Sequence, residues 1–108
     1  MNELAFISRG DVFTDTWIIA ENIGRDHASV TANIQRYKKR FEKAGTLSTA
    51  SRKSTGGRPA TVYDLNEAQA IFLISLMDNS EKVVDFKLAL AQEFVRTRRL
   101  LLEKQTAD

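Results

Sequence analysis

The sequence predicts an α+β fold, a winged helix-turn-helix domain with a basic β-hairpin wing and a long C-terminal helix. Three observations predict it: two helical segments separated by Gly24, a basic hairpin pattern after them, and a long helical pattern at the end. We assign 15–43 to the helix-turn-helix, 46–65 to the wing and 66–104 to the core and C-terminal helices. A chain of 108 residues supports one hydrophobic core, so we expect a single domain over 1–108.

The first elements are predicted to be two short strands and a helix. Two apolar segments, 4–7 and 12–14, flank a turn signal and predict a hairpin. Thr14 or Asp15 is the predicted N-cap of the first helix. This helix should end at Gly24, because glycine adopts the left-handed conformation without steric cost.

The spacing of small residues predicts a helix-turn-helix. Ala20 and Gly24 lie four residues apart, so a small side chain lets the second helix approach and a glycine permits the turn. An ordinary corner between two helices is the alternative. The second helix is predicted over 27–43, with the Asp26 carboxylate accepting from the amides of its first turn. Its apolar stripe consists of Val30, Ile34, Tyr37 and Phe41.

Two more helices follow the hairpin. The third helix opens at Asp64 or Asn66 and is apolar nearly all round, so we expect it to be the central core helix. The fourth is predicted over 81–104 and carries two apolar stripes: Val84, Leu88, Ala91 and Val95 in one, and Phe86, Leu90, Phe94 and Leu101 in the other. Since one stripe is enough to face a small core, we expect a homodimer through 83–102; internal use of both stripes is the alternative.

Charge is distributed very unevenly along the chain. From Arg25 to Arg58 there are nine basic and two acidic residues, a net charge of +7, whereas the rest carries seven basic and twelve acidic residues, a net −5. The formal charge of +2 therefore hides a segment that is typical of a polyanion-binding face. A solvated basic helix with a basic loop is the alternative.

These patterns predict the residues that contact DNA. Residues early in a recognition helix meet base edges and later ones meet phosphates, while an arginine in a wing suits the minor groove. For His27, local packing at the helix start is the first expectation and a phosphate contact the second. The predicted DNA-binding residues are Arg25, His27, Ser29, Thr31, Gln35, Arg36, Lys39, Arg40, Lys43, Arg52, Lys53 and Arg58, with Ala32 as a further groove candidate.

Several of these residues form a pattern that resembles a known family. The pattern is Arg25-x-His27-x2-Val30-x3-Ile34, then Gly57-Arg58-Pro59-x3-Tyr63-x-Leu65, then Phe86-Lys87 and Phe94. Over about residues 12–100 it is similar to the phage regulatory protein family Rha. The resemblance implies a phage or prophage DNA-associated regulator, of the group that includes antirepressors.

Composition argues against most other classes of protein. Cysteine is absent and His27 is the one histidine, which argues against disulfide scaffolds, thiol nucleophiles and the usual metal sites. We expect a protein that is not an enzyme, with no cofactor, no metal and no membrane partner, in the cytoplasm of a bacterial host or phage-infected cell. The main alternative is a protein-interaction module that binds a repressor or host factor; RNA binding is a lesser one.

Overall fold

Four strands and five helices make up the part of the chain that the computed structural model describes, residues 3–53 and 59–106. The side chains of residues 52, 53, 59 and 60 lie outside this described part. In chain order the elements are β1 (Phe6–Ser8), β2 (Asp11–Asp15), α1 (Thr16–Ile23), α2 (His27–Arg36), α3 (Lys38–Lys43), β3 (Ser48–Lys53), β4 (Pro59–Asn66), α4 (Glu67–Ser75) and α5 (Glu81–Thr106). The result is a mixed α+β domain.

The strands form one antiparallel sheet in the order β1-β2-β4-β3. The predicted N-terminal hairpin is confirmed: Ser8 pairs with Asp11 across a two-residue turn. Both turn residues, Arg9 and Gly10, have positive φ (51° and 72°), as the twist of a tight hairpin requires. Because β4 pairs with both β2 and β3, the helices α1 to α3 are inserted between two strands of the same sheet.

The predicted ends of the first helix are confirmed. The Asp15 carboxylate accepts a 2.8 Å hydrogen bond from the amide of Ile18, which satisfies one orphan donor of the first turn. At the other end, Gly24 has the left-handed conformation with φ 72°. Helix α1 therefore begins directly after Asp15 and ends directly before Gly24.

The predicted continuous helix over 27–43 is wrong, because it is broken at Tyr37 (φ −115°, ψ 31°) into α2 and α3. Arg36, Lys39, Arg40 and Lys43 would be like-charged neighbours one turn apart on a straight helix, which weakens it. Asp26 is the N-cap residue of α2, as predicted, but the predicted capping bond of its carboxylate is wrong. The carbonyl of Asp26 accepts from the amides of Ser29 and Val30 instead.

The third predicted helix begins as expected but is not buried all round. Asn66 caps α4, accepting from the amide of Gln69, whose side chain accepts in turn from the amide of Asn66. On its outer side, Ile71 is 55% exposed. The expectation of a central core helix was wrong because large residues of other elements already fill the core, so α4 buries one face only. Large members of the core include Val12, Ile19, Val30, Ile34, Phe41, Leu65, Leu73, Leu90 and Phe94.

The long last helix faces the core with one of its two stripes. Phe86, Leu90 and Phe94 are buried and Leu101 is partly buried, whereas the stripe that contains Val84 and Val95 is exposed. Within the described residues, no helix is both long and apolar enough to cross a membrane.

Candidate nucleic-acid interface

The corner between α1 and α2 is tight. The amides of both Gly24 and Arg25 donate to the carbonyl of Ala20, the latter over 3.0 Å, so one acceptor closes the turn. Ala20 is buried and α1 packs against α2. This is the close approach that the Ala20–Gly24 spacing predicts.

His27, the first residue of α2, is held inside this corner. Its Nε2 lies 2.8 Å from the hydroxyl of Thr16, which also accepts a hydrogen bond from the amide of Tyr63. The edge of the Trp17 ring meets the imidazole, with 5.4 Å between ring centroids. Thr16 is fully buried, so this bond ties the start of α2 to α1 and β4. A phosphate contact through Nε2 would require breaking it.

The surroundings of His27 favour its neutral form. Burial lowers the pKa of His27 below its ordinary value, and the nearby Asp15 carboxylate opposes this in part. Because the Thr16 oxygen already accepts from Tyr63, its proton can be donated to Nε2 of a neutral imidazole. Neutral His27 therefore fits a positioning role.

One face of α2 is buried and the opposite face is exposed. Val30 and Ile34 anchor the helix in the core, and Ser29, Ala32, Gln35 and Arg36 lie on the exposed side. Thr31 is half-buried, and its hydroxyl already donates to the carbonyl of Ala28 over 3.1 Å. Of the predicted base-edge residues, Thr31 is thus the least available.

The break at Tyr37 organises the cationic side chains around it. The Arg36 and Arg40 guanidinium groups lie 5.4 and 5.6 Å from the centroid of the Tyr37 ring, within the range of a cation–π contact. The rings of Tyr37 and Phe72 also meet edge to face, with 6.4 Å between their centroids. The half-buried Tyr37 ring therefore holds two guanidinium groups close together, although their like charges repel each other.

Short helix α3 extends this cationic surface. Phe41 is fully buried, so Lys39 and Lys43, two residues to either side of it, lie on the outer face; both are exposed. Lys38, which the sequence-based set left out, is exposed too. We call the exposed set Ser29, Ala32, Gln35, Arg36, Lys38, Lys39, Arg40 and Lys43 the α2–α3 surface.

Arg25 differs from the other predicted cations because it has an acidic partner. Its guanidinium group forms an ion pair with Asp78, in the segment that joins α4 and α5. The Ser80 amide, and then Arg25, hold the pKa of Asp78 below its ordinary value. This ion pair lowers the positive charge that Arg25 offers to a ligand.

The predicted basic residues of the hairpin strands are described only through their backbones. Arg52 and Lys53 belong to β3, where they pair with Ala60 and Pro59 of β4. Arg58 lies outside the described residues. The hairpin itself is confirmed as a pair of antiparallel strands that continues the sheet.

Sequence reasoning missed the residues that fix the path from α3 to the hairpin. The fully buried Gln69 side chain donates to the carbonyls of Gly45 (2.9 Å) and Phe41 (3.2 Å), and that of Asn66 donates to Ala44 (2.8 Å). The Asn66-x2-Gln69 spacing is a capping-box signal that could have drawn attention to both. Through these hydrogen bonds, the Asn66 and Gln69 side chains hold the C-terminal end of α3 against the start of α4.

The side chains of the α2–α3 surface are suited to binding an anionic ligand. They supply cationic groups, one hydroxyl group and a carboxamide, which suit phosphates and base edges. Within the described residues, no group of three or more histidine, cysteine, aspartate or glutamate side chains is arranged to hold a metal ion. A polyanion is the ligand class that this surface fits.

Comparison with models of protein families gives a match over most of the chain. A family model described as phage regulatory protein Rha matches residues 14–99, which include every element from α1 to α4 and most of α5. No curated protein and no solved structure matches the chain significantly.

Proposed function

Because the chain belongs to the phage regulatory protein Rha family, we propose that it is a phage or prophage transcriptional regulator that binds duplex DNA. The contact residues belong to the α2–α3 surface and to the hairpin of β3 and β4. Its place of action is the cytoplasm of the bacterial host, and its role is binding without catalysis.

The observation that carries this proposal is the junction of two kinds of surface at Tyr37. On one side of it, α2 offers small and polar side chains, including Ser29 and Gln35, and on the other α3 offers exposed lysines. A protein that reads DNA needs both, because base contacts specify the sequence and phosphate contacts fix the register. A basic helix without the polar face would support only a general polyanion binder.

The dimensions of α2 suit the major groove. Ten residues make a helix of about 15 Å, and the major groove of B-DNA, about 12 Å wide, admits an α-helix. Gln35 is suited to adenine and Arg36 to guanine. The Tyr37 ring restrains Arg36 and Arg40 before DNA arrives, so less side-chain entropy is lost on binding.

The winged helix-turn-helix interpretation rests on the order of elements. The helix pair α1 and α2, with Gly24 at its turn, is followed along the chain by the β3–β4 hairpin, which belongs to the four-stranded sheet. A hairpin in that position acts as the wing. Arg52, Lys53 and Arg58 would then reach the phosphate backbone or the minor groove. Arg25 and His27 act differently in this proposal: the first supports phosphate binding only after leaving Asp78, and the second positions α2.

Selection of bound sequences from a random duplex pool tests the proposed function. The proposal expects an enriched sequence whose binding weakens steeply with salt, because each neutralised phosphate contributes about 0.9 to the slope of log K against log salt. Absence of binding to every duplex would contradict it. If the chain instead captured a purified acidic repressor through the α2–α3 surface, the protein-interaction alternative would replace it.

A further inference from the structure

An apolar seam runs along the exposed side of α5. Its large members, Val84, Leu88, Val95 and Leu102, are 45%, 60%, 54% and 54% exposed. With Ala91 and Arg98 they follow alternating steps of four and three residues along the helix: 84, 88, 91, 95, 98 and 102. This is the heptad spacing with which one helix packs against another.

The seam extends along most of α5. From Val84 to Leu102 it covers about 27 Å of helix. Ile71 of α4 adjoins it, since Ile71 and Ala91 line the same small cavity between the two helices. Arg98 occupies the one polar position and forms an ion pair with Glu67 of α4. An exposed apolar surface of this extent and regularity marks an interaction site.

We propose that this seam is the interface between two copies of the chain, whose α5 helices pack antiparallel about a two-fold axis level with Glu93. In this register Val84 packs against the partner's Leu102, and Ala91 packs against the partner's Val95. Leu88 covers the aliphatic stem of the partner's Arg98. All six positions are used, and the surface is complementary to itself, as a two-fold interface must be.

Charge along the flank of the seam selects a second copy in this orientation. Asp85, Gln92 and Arg99 are exposed and follow the seam at intervals of seven residues. An antiparallel pair brings Asp85 beside the partner's Arg99, twice, and Gln92 beside the partner's Gln92. A parallel pair would leave Asp85 and the partner's Arg99 two heptads, about 21 Å, apart along the helix axis, so this contact would be lost.

This inference stands apart from the proposed function. The seam belongs to α5, whereas the proposed DNA contacts belong to α2, α3 and the hairpin. Oligomeric state and DNA binding can therefore be measured separately on the same variants, and failure of one does not decide the other.

Light scattering over a range of concentrations tests the interface. The wild-type chain of 12.2 kDa should approach twice that mass as its concentration rises. Val95→Glu, which places a carboxylate beside the two-fold axis, should remain monomeric with an unchanged helical circular dichroism spectrum. Leu100→Glu is the matched control, because Leu100 is 41% exposed and lies about 140° around the helix from Val95; this variant should still dimerise.

A charge-reversal cycle tests the register. Asp85→Arg and Arg99→Asp should each weaken the dimer about tenfold, because each turns two attractive contacts into two repulsive ones. The double variant restores opposite charges and should recover most of the wild-type Kd. A wild-type chain that stays at 12.2 kDa, equal effects of Val95→Glu and Leu100→Glu, or a double variant no better than the single ones would each overturn the proposal.

Discussion

Replacing Gly45 by alanine should cost the protein a large part of its stability. Gly45 stands between α3 and β3 with φ 146°, a region that side chains other than glycine rarely adopt. An ideal Cβ there would lie 2.5 Å from Nδ2 of Asn66, closer than real Cβ atoms come to other atoms. Asn66 would have to move, and its 2.8 Å hydrogen bond to the carbonyl of Ala44 would break.

The size of the effect follows from these two terms. The backbone conformation costs roughly 1–3 kcal/mol for a residue with a side chain, and a lost hydrogen bond costs about 0.5–1.5 kcal/mol. We therefore expect Gly45→Ala to lower the free energy of unfolding by about 2–4 kcal/mol. With a urea slope on the order of 1.5 kcal/mol/M, the midpoint should fall by about 2 M.

Urea titration followed by circular dichroism measures this effect, and Gly10→Ala is its matched control. Gly10 also has positive φ (72°), but no atom of the described residues lies within 4 Å of its ideal Cβ. Gly10→Ala should therefore lower the free energy of unfolding by only about 1 kcal/mol. Asn66→Ala removes the atom that the new Cβ at position 45 would meet, so the double variant should lose less than the sum of the two single losses. Equal losses for Gly45→Ala and Gly10→Ala, or strict additivity with Asn66→Ala, would refute this reasoning.

Two further predictions concern the residues that fix the α2–α3 surface. Because burial lowers the pKa of folded His27, the unfolded chain binds its proton first as pH falls through about 6.5, so wild-type stability should drop there. His27→Gln should flatten this part of the profile of urea midpoint against pH. A profile shared with wild type would contradict the assignment of His27 as a neutral side chain in the folded protein. Gln69→Leu leaves buried carbonyls without donors and should cost about 2–4 kcal/mol, whereas Gln35→Leu, at an exposed position, should stay within about 0.5 kcal/mol; equal denaturation midpoints would contradict the role of Gln69.

Local signals in the sequence were enough for most elements of the fold. Asp15 and Gly24 bound α1, and Asn66 begins α4, because capping depends on residues that are neighbours in the chain. The N-terminal hairpin and the long last helix were also predicted. In α5 the helical period separated two stripes correctly, and only the fold decides which of them is buried.

Errors arose where packing between distant segments decides the structure. At the break, the rings of Tyr37 and Phe41 both meet Phe72, which is far along the chain. The pattern of apolar residues within 27–43 cannot predict a contact with a residue outside that segment. Likewise, the exposure of Ile71 follows from how much of the core other elements fill. Hydrophobic pattern predicts that a face can be buried, and tertiary packing decides whether it is.

The candidate site was predicted in part by composition. The charge asymmetry identified the segment that contains Arg36, Lys39 and Arg40, all of which are exposed. It could not reveal that Arg25 pairs with Asp78 or that His27 bonds to Thr16, because both partners are distant in sequence. Charge along a chain predicts the sign of a surface, and only the fold gives each group its neighbours.

The salt dependence of DNA binding by the Arg36→Ala/Lys39→Ala variant tests the central claim most directly. The matched control is Lys87→Ala/Lys104→Ala, which removes the same charge from α5, away from the α2–α3 surface. We predict that the first variant binds the selected duplex much more weakly and that its slope of log K against log salt falls by about one unit, because Lys39 contacts a phosphate whereas Arg36 contacts a base, while the control keeps the wild-type slope. Equal losses in the two variants would contradict the claim that the α2–α3 surface binds DNA.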